Sequence, residues 1–291
     1  MGLGTNQMTR TTGAVFMPDV WSKDLQIERE SLKVMEKLIK RADKDVMDGG
    51  NLLEMPFVSN LSATAASNNT AVTLQSPTET KVQISINRWF ESSFAVDYAL
   101  AKQRSKAYNL VEQYKQKSIE AITRKIQTDL TGLYSSLSQT TGSGHTAITE
   151  ANIVRADQYL NEAKAPFQNR SFVVSPDGMA NLVQIGRLTE YQNTGKGDAV
   201  MIGGNNGLVS SAYAARVYMT TDVAEVSGTP GTAHNLYFHR DFAVLALQQD
   251  VEMEMDNRPD FLAEVYVCHA LWGFAELRDD HGVDVRSVLN V

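Results

Sequence analysis

The sequence predicts an α+β fold, and three observations carry that prediction. Two segments with apolar residues at every second position flank a long, almost uncharged stretch, the pattern of a β-hairpin with an oversized tip. A long helix-period segment without proline follows. The C-terminal region then alternates apolar and acidic residues, as half-buried strands do. A chain of 291 residues can hold one large domain or two smaller ones, and 43% hydrophobic with 21% charged residues is the composition of an ordinary folded core.

Residues 1–17 read as a polar arm. "PDVWSKDLQIERESLKVMEKLIKRADKDV" reads as a helix through Val46, with Leu32, Met35, Leu38 and Ile39 on its apolar face and "DGG" at Asp48–Gly50 as its stop. "NLLEMPFV" is a strand placing Leu53, Met55 and Phe57 on one face, and Pro56 restricts it to a sheet edge or a bulge, because proline donates nothing to a ladder. "KVQISINRWF" is its partner, with Val82, Ile84, Ile86 and Phe90 alternating against Lys81, Gln83, Ser85, Asn87 and Trp89.

Between them lies "SNLSATAASNNTAVTLQSPTET", in which 16 of 22 residues are Ser, Thr, Asn or Ala and only Glu79 is charged. A loop of that length in a compact domain signals either function or disorder. A lone hairpin is marginal in water, so this one is expected to lie on something else.

Residues 97–137 carry Tyr108, Val111, Tyr114, Ile119, Ile122, Ile126, Leu130, Leu133 and Leu137 near a 3.6 period. As one uninterrupted helix they form a rod on the order of 60 Å, a spine for a sheet to pack against. "SQTTGSGHT" at Ser138–Thr146 breaks the pattern. Beyond it come a helix from Thr149 to Ala163, a strand "SFVVS", and a second helix with Ser175 as N-cap and Pro176 in its first turn. A Gly-rich loop, "NTGKGDAVMIGGNNGLV", precedes a strand "AARVYMTTDV". The remainder is β-rich, with Val251, Met253 and Met255 alternating against Glu252 and Glu254.

Charge and motifs exclude more than they assign. A net charge of −7 argues against a protein built to grip nucleic acid. Residues 97–137 are net +3 and residues 236–291 net −7, which reads either as two solvated faces or as unlike surfaces by which identical subunits attract one another. No run of 18 apolar residues predicts a membrane span, and the N-terminus lacks a signal-peptide apolar region. Cys268 is the only cysteine, so no intramolecular disulfide is available, which suits a reducing compartment.

The "TGKGD" loop fails as a phosphate loop, because Lys196 is followed by Gly197 and Glu190 stands where the first glycine belongs. His145, His234, His239, His269 and His281 lack metal-ligand spacing, and neighbours on a strand such as Cys268 and His269 point to opposite faces. Asp279-Asp280-His281 reads as a turn between strands. No catalytic, cofactor-binding or metal residue is assigned, and no enzyme activity is expected.

The order of parts resembles the major capsid proteins of tailed bacteriophages, the Hong Kong 97-type fold. "FMPDVWSKDLQIERESLKVM" is similar to that family's N-terminal arm and first helix. "GGNLLEMPFVSNLSA" with "KVQISINRWFESSFAVDYALAKQ" resembles its extended loop running into the spine, and "SFVVSPDGMANL" the strand and helix of its axial domain. "FHRDFAVLALQQDVEMEM" and "GFAELRDDHGVDVR" are similar to its closing peripheral-domain strands.

The resemblance implies an N-terminal arm and helix (1–47), an extended β-hairpin loop (48–96), a peripheral-domain spine helix (97–138), an axial domain (139–234) and peripheral C-terminal strands (235–291). It implies pentamers and hexamers closing into an icosahedral head around double-stranded DNA, assembled in the host bacterial cytoplasm. Implied partners are a portal, a decoration protein and DNA held by weak non-specific contact. Because the arm begins almost at Met1, either a separate scaffolding protein guides assembly or a scaffolding domain has been removed. Lys81, at the hairpin base and the only lysine from Asp48 to Val96, is badly placed for the Lys–Asn isopeptide of some members, so cross-linking is not expected. The alternatives are an encapsulin-type compartment enclosing an enzyme cargo, or a soluble oligomeric enzyme using the Gly-rich loop.

Overall fold

The computed structural model describes residues 33–69, 71–72, 74–103, 110–185, 208–212 and 215–289. Two sheets organise them. The first has five strands in the order β1 (Lys40–Arg41), β10 (Ala243–Arg258), β11 (Ala263–Glu276), β3 (Glu79–Asp97) and β2 (Leu52–Val58). The second has seven strands. Its path runs β4 (Thr140–Gly142), β12 (Gly282–Leu289), β9 (Gly231–His239), β5 (Arg170–Val174), β7 (Ala215–Met219) and β6 (Leu208–Ala212), with β8 (Ala224–Val226) paired to β9.

The hairpin pairs antiparallel from Leu52↔Ser85 to Val58↔Glu79, with Leu53, Met55, Ile84 and Ile86 turned inward as their period requires. β2 is the sheet's edge, so the missing N–H of Pro56 costs no ladder bond. Two expectations change here. β3 runs on to Asp97, seven residues past Phe90, because its second half pairs with β11 from Trp272↔Arg88 to Ala263↔Asp97. Phe90 also does not share a face with Ile84 and Ile86. The register slips between Ile86↔Gly273 and Arg88↔Trp272, leaving Asn87 as an extra residue, and a bulge of this kind inverts the facing of everything after it. Gly273 permits it, since a Cβ there would lie 2.5 Å from the Ser85 carbonyl oxygen.

The spine is expressed as α2 (Tyr98–Gln103) and α3 (Leu110–Thr131), with a 3₁₀ turn at Gly132–Ser136; residues 104–109, including Tyr108, lie outside the described residues. The α-helix ends at Thr131, short of the expected Leu137, although Leu133 and Leu137 are buried as expected. Ile122, Ile126 and Leu130 pack with Leu245, Leu247, Cys268, Ala270 and Trp272 to form the core between spine and sheet. Tyr114 and Ile119 are exposed, contrary to the pattern; Tyr114 lies only at the edge of the contact, beside Phe94.

The first helix is also shorter than expected. Pro18 to Leu32 lie outside the described residues, and α1 is the single turn Met35–Leu38. Lys40 and Arg41 become a strand because β10 offers a parallel partner, Lys40↔Val244 and Arg41↔Leu245. The Ala42 N–H then donates to the Leu245 carbonyl at 2.9 Å, and Ile39, Ala42 and Val46 are buried; tertiary pairing outweighs helix propensity.

On the second sheet, α4 (Glu150–Glu162) and α5 (Pro176–Val183) bury Ile153, Leu160, Met179 and Leu182 against Phe172, Val174, Tyr237 and Val285. Ser175 caps α5 as expected, its Oγ accepting from Gly178 N at 3.0 Å. "NLYFHRDFAVLALQ" contains a change of sheet: β9 ends at His239, a 3₁₀ turn spans Arg240–Phe242, and β10 begins in the other sheet at Ala243. The boundary drawn at 234/235 falls inside β9, and β12 returns to the seven-stranded sheet.

Candidate assembly interface

The hairpin tip is built by exclusion. Its described residues between Val58 and Glu79 are all exposed, including Leu61 at 67% and Leu74 at 89%. Its two limbs are tied by Ser62 N to Gln75 Oε1 at 2.9 Å and Thr78 N to Ser59 Oγ at 3.1 Å. The hairpin base is different, because it forms the edge of the five-stranded sheet over Ala42, Val46, Val244 and Ala246. Support therefore stops where the tip begins, which narrows the expectation of an unsupported hairpin to its end. At the base Lys81 Nζ lies 2.6 Å from Glu54 Oε1, and hydrogen bonds from Lys81 and Gln83 hold the Glu54 carboxyl below its usual range.

The expected charge asymmetry acquires a geometry. On the spine side Lys115 lies over the Tyr266 ring at 4.9 Å, Lys117 pairs with Glu120 at 2.8 Å, and Lys125 pairs with Asp129 at 2.8 Å. Glu252 and Glu254 stand opposite His269 and Val267, on the sheet face turned away from α3. Glu254 lines a shallow cleft with Trp89, Phe90, Glu91, Val267 and His269, in which Trp89 is 74% exposed. Sequence reasoning missed Trp89, because a tryptophan on the nominally polar face of a strand only becomes notable once the bulge is known.

Most of the described residues weighed for chemistry are in structural use. His234 Nδ1 lies 2.9 Å from Asp284 Oδ2, Arg286 Nε donates to the same oxygen at 2.8 Å, and Tyr134 stacks on the imidazole at 3.9 Å. His145 is exposed. Cys268 is buried, which pushes its thiol pKa up, while His269 on the other face meets Gln249 at 2.9 Å. Asp279, Asp280 and His281 form the expected turn, and Asp279 accepts from Ser138 N at 2.7 Å. Lys196 lies outside the described residues. Among the described residues no group of three or more His, Cys, Asp or Glu is arranged to hold a metal ion, and no helix is long and apolar enough to cross a membrane.

Solved structures share this arrangement along nearly the whole chain. A structure from Mycobacterium phage Che8 superposes with a TM-score of 0.76 at 18% identity, over 93% of this chain and 97% of that one. The capsid structure of the cyanophage P-SCSP1u gives 0.74 at 14% identity over 96% and 95%. The mature capsid of bacteriophage PhiM1 gives 0.73 at 12% over 93% and 92%. A search of curated protein sequences finds no match. The fold is therefore of the Hong Kong 97 type, and the family model described as phage capsid protein matches residues 91–286, from the second half of β3 to β12. The chain belongs to the phage capsid protein family and is a structural major capsid protein of the virion shell.

Proposed function

We propose that this protein assembles as pentamers and hexamers into an icosahedral head enclosing double-stranded DNA, with each hairpin tip laid over a neighbouring subunit. The observation that carries this reading is the unsupported tip. Leu61, Val72 and Leu74 end a long polar loop and contribute no burial to their own core. Such side chains gain free energy only against another chain, at about 25 cal/mol per Å² of apolar surface covered. The polar remainder of the tip keeps the unassembled subunit soluble.

In this reading the five-stranded sheet with α3 acts as the peripheral domain, and the seven-stranded sheet with α4 and α5 as the axial domain. Assembly takes place in the host cytoplasm with a separate scaffolding protein, a portal and a decoration protein. A net charge of −7 supports weak, non-specific contact with the packaged DNA.

The test deletes residues 61–77 and closes the strands with a short turn. The expected result is a subunit that still melts cooperatively yet forms no shells by negative-stain microscopy. Shells of wild-type yield would overturn the reading. A lost cooperative melt would do so as well, since it would place the tip within its own core. In wild-type particles the expected content is nucleic acid, whereas an enzyme cargo would assign the shell to a compartment.

A further inference from the structure

The described chain passes between the two sheets three times: from the 3₁₀ turn after α3 into β4, from β9 into β10, and from β11 into β12. The three crossings meet at one place. A Cβ on Gly282 would lie 2.6 Å from Leu137 Cδ2 of the first crossing and 3.0 Å from Phe242 Cδ2 of the second. Leu277 N and Arg278 N both donate to the Phe242 carbonyl, at 2.8 and 3.2 Å. Ser138 N donates to Asp279 Oδ1, and Asp284 N to the Gln139 carbonyl. The relative setting of the two sheets passes through this knot.

Two buried histidines sit in it, one on each of the later crossings. His239 and His281 are 5% and 6% exposed, with ring centroids 5.8 Å apart. His239 Nδ1 accepts a hydrogen bond from Asp241 N at 3.2 Å and so caps the 3₁₀ turn of the second crossing. That bond exists only while Nδ1 carries no proton, because a protonated imidazole has two donors and no acceptor. His281 Nδ1 lies 3.2 Å from Asp280 Oδ1 but makes no aligned hydrogen bond.

We propose that this knot is a proton-sensitive joint between the sheets: protonating His239 removes the cap on the second crossing, sets a cation against His281, and loosens the two crossings from each other. Burial, rather than the surrounding charges, favours the neutral pair. Arg170 of β5 and Arg278 of the third crossing face the imidazoles, while Asp241 and Asp280 oppose them. Asp157 of α4, the helix packed on the third crossing, is committed to Arg170 at 2.6 Å. β1 also runs against the second crossing, and its Arg41 is paired with Asp43 at 2.8 Å. Burial, the largest cause, holds both imidazoles below the ordinary histidine range. A buried base held neutral stabilises the closed joint above its unfolded pKa of about 6.5, and that contribution is lost as pH falls from there towards the folded value.

The test is hydrogen exchange on the full chain at about pH 7 and about pH 5, which brackets the ordinary histidine range, with intrinsic exchange corrected. In the wild type, protection of the amides at 240–242 and 277–281 should fall severalfold on acidification, more than in β5. His239→Asn keeps an acceptor for Asp241 N and cannot titrate, so its protection should be independent of pH. An equal fall in H239N, or none in the wild type, overturns the proposal. If H239N does not fold, the wild type decides: loss of protection at 240–242 should follow the titration of the His239 ring by NMR, and loss at a different midpoint overturns the proposal.

Discussion

Gln127 of α3 extends its Oε1 to the backbone N–H of Met35 at 3.0 Å and to that of Val34 at 3.2 Å. The start of α1, which has no side-chain cap of its own, thus takes its acceptor from a helix more than 90 residues away. Gln127→Leu strands two buried donors. Denaturant unfolding should show a loss of about 1–3 kcal/mol with the m-value unchanged. Wild-type stability in this variant would show that the donors find another partner.

The bulge at Asn87 rests on Gly273, where the Ser85 carbonyl oxygen and Ile86 Cα lie 2.5 and 3.0 Å from the place an alanine methyl would occupy. Gly273→Ala should therefore cost about 1–3 kcal/mol through strain. It should also lower exchange protection at residues 84–90 more than at β12. A neutral result would mean that the ladder can be re-registered at little cost.

Arg170 is buried on β5, with its Nη1 2.6 Å from Asp157 Oδ1, and the Tyr237 hydroxyl donates to the same oxygen at 2.9 Å. Burial and the Asp157 charge push the Tyr237 phenol well above its ordinary pKa, so it remains a donor throughout the usual pH range. Arg170→Met leaves Asp157 without its ion-pair partner, and about 3–5 kcal/mol should be lost. Tyr237→Phe should cost about 1.5–3 kcal/mol, the value of a hydrogen bond to a charged group. Calorimetry that ranks the two variants in the opposite order would contradict this division.

Reversal of Lys115, Lys117 and Arg124 to Glu should leave the fold intact, because exposed ion pairs contribute only about 0–1 kcal/mol each. Assembly should slow at low salt and differ little from wild type near 1 M salt, where the Debye length is about 3 Å. Glu252 and Glu254 lie on the sheet face away from α3, so their reversal can restore assembly only through contact between subunits. Unchanged light-scattering kinetics at low salt would show that the asymmetry is two solvated faces.

By itself the sequence determined what depends on near neighbours or on the covalent nature of one residue. The inward set Leu53, Met55, Ile84 and Ile86 follows from period-two alternation, and the missing N–H of Pro56 narrowed β2 to a sheet edge or a bulge, of which the edge is the one formed. The cap at Ser175 follows from Ser-Pro chemistry, and the buried stripe Ile122, Ile126, Leu130 from the helical period. The resemblance to capsid proteins was legible because that order of elements runs through most of the chain. Only tertiary structure decided where those patterns yield to a distant partner. Lys40 and Arg41 leave the helix because β10 pairs with them, and Asp43 then accepts from Leu247 N across 204 residues. Asn87 bulges because Gly273 on β11 admits the backbone, so Phe90 leaves the face of Ile84 and Ile86 and stacks on Trp272. The meeting of His239 with His281 likewise needed two sheets and the crossings between them. Periodicity specifies a face within one element, and contact between elements far apart in sequence specifies which face is inside.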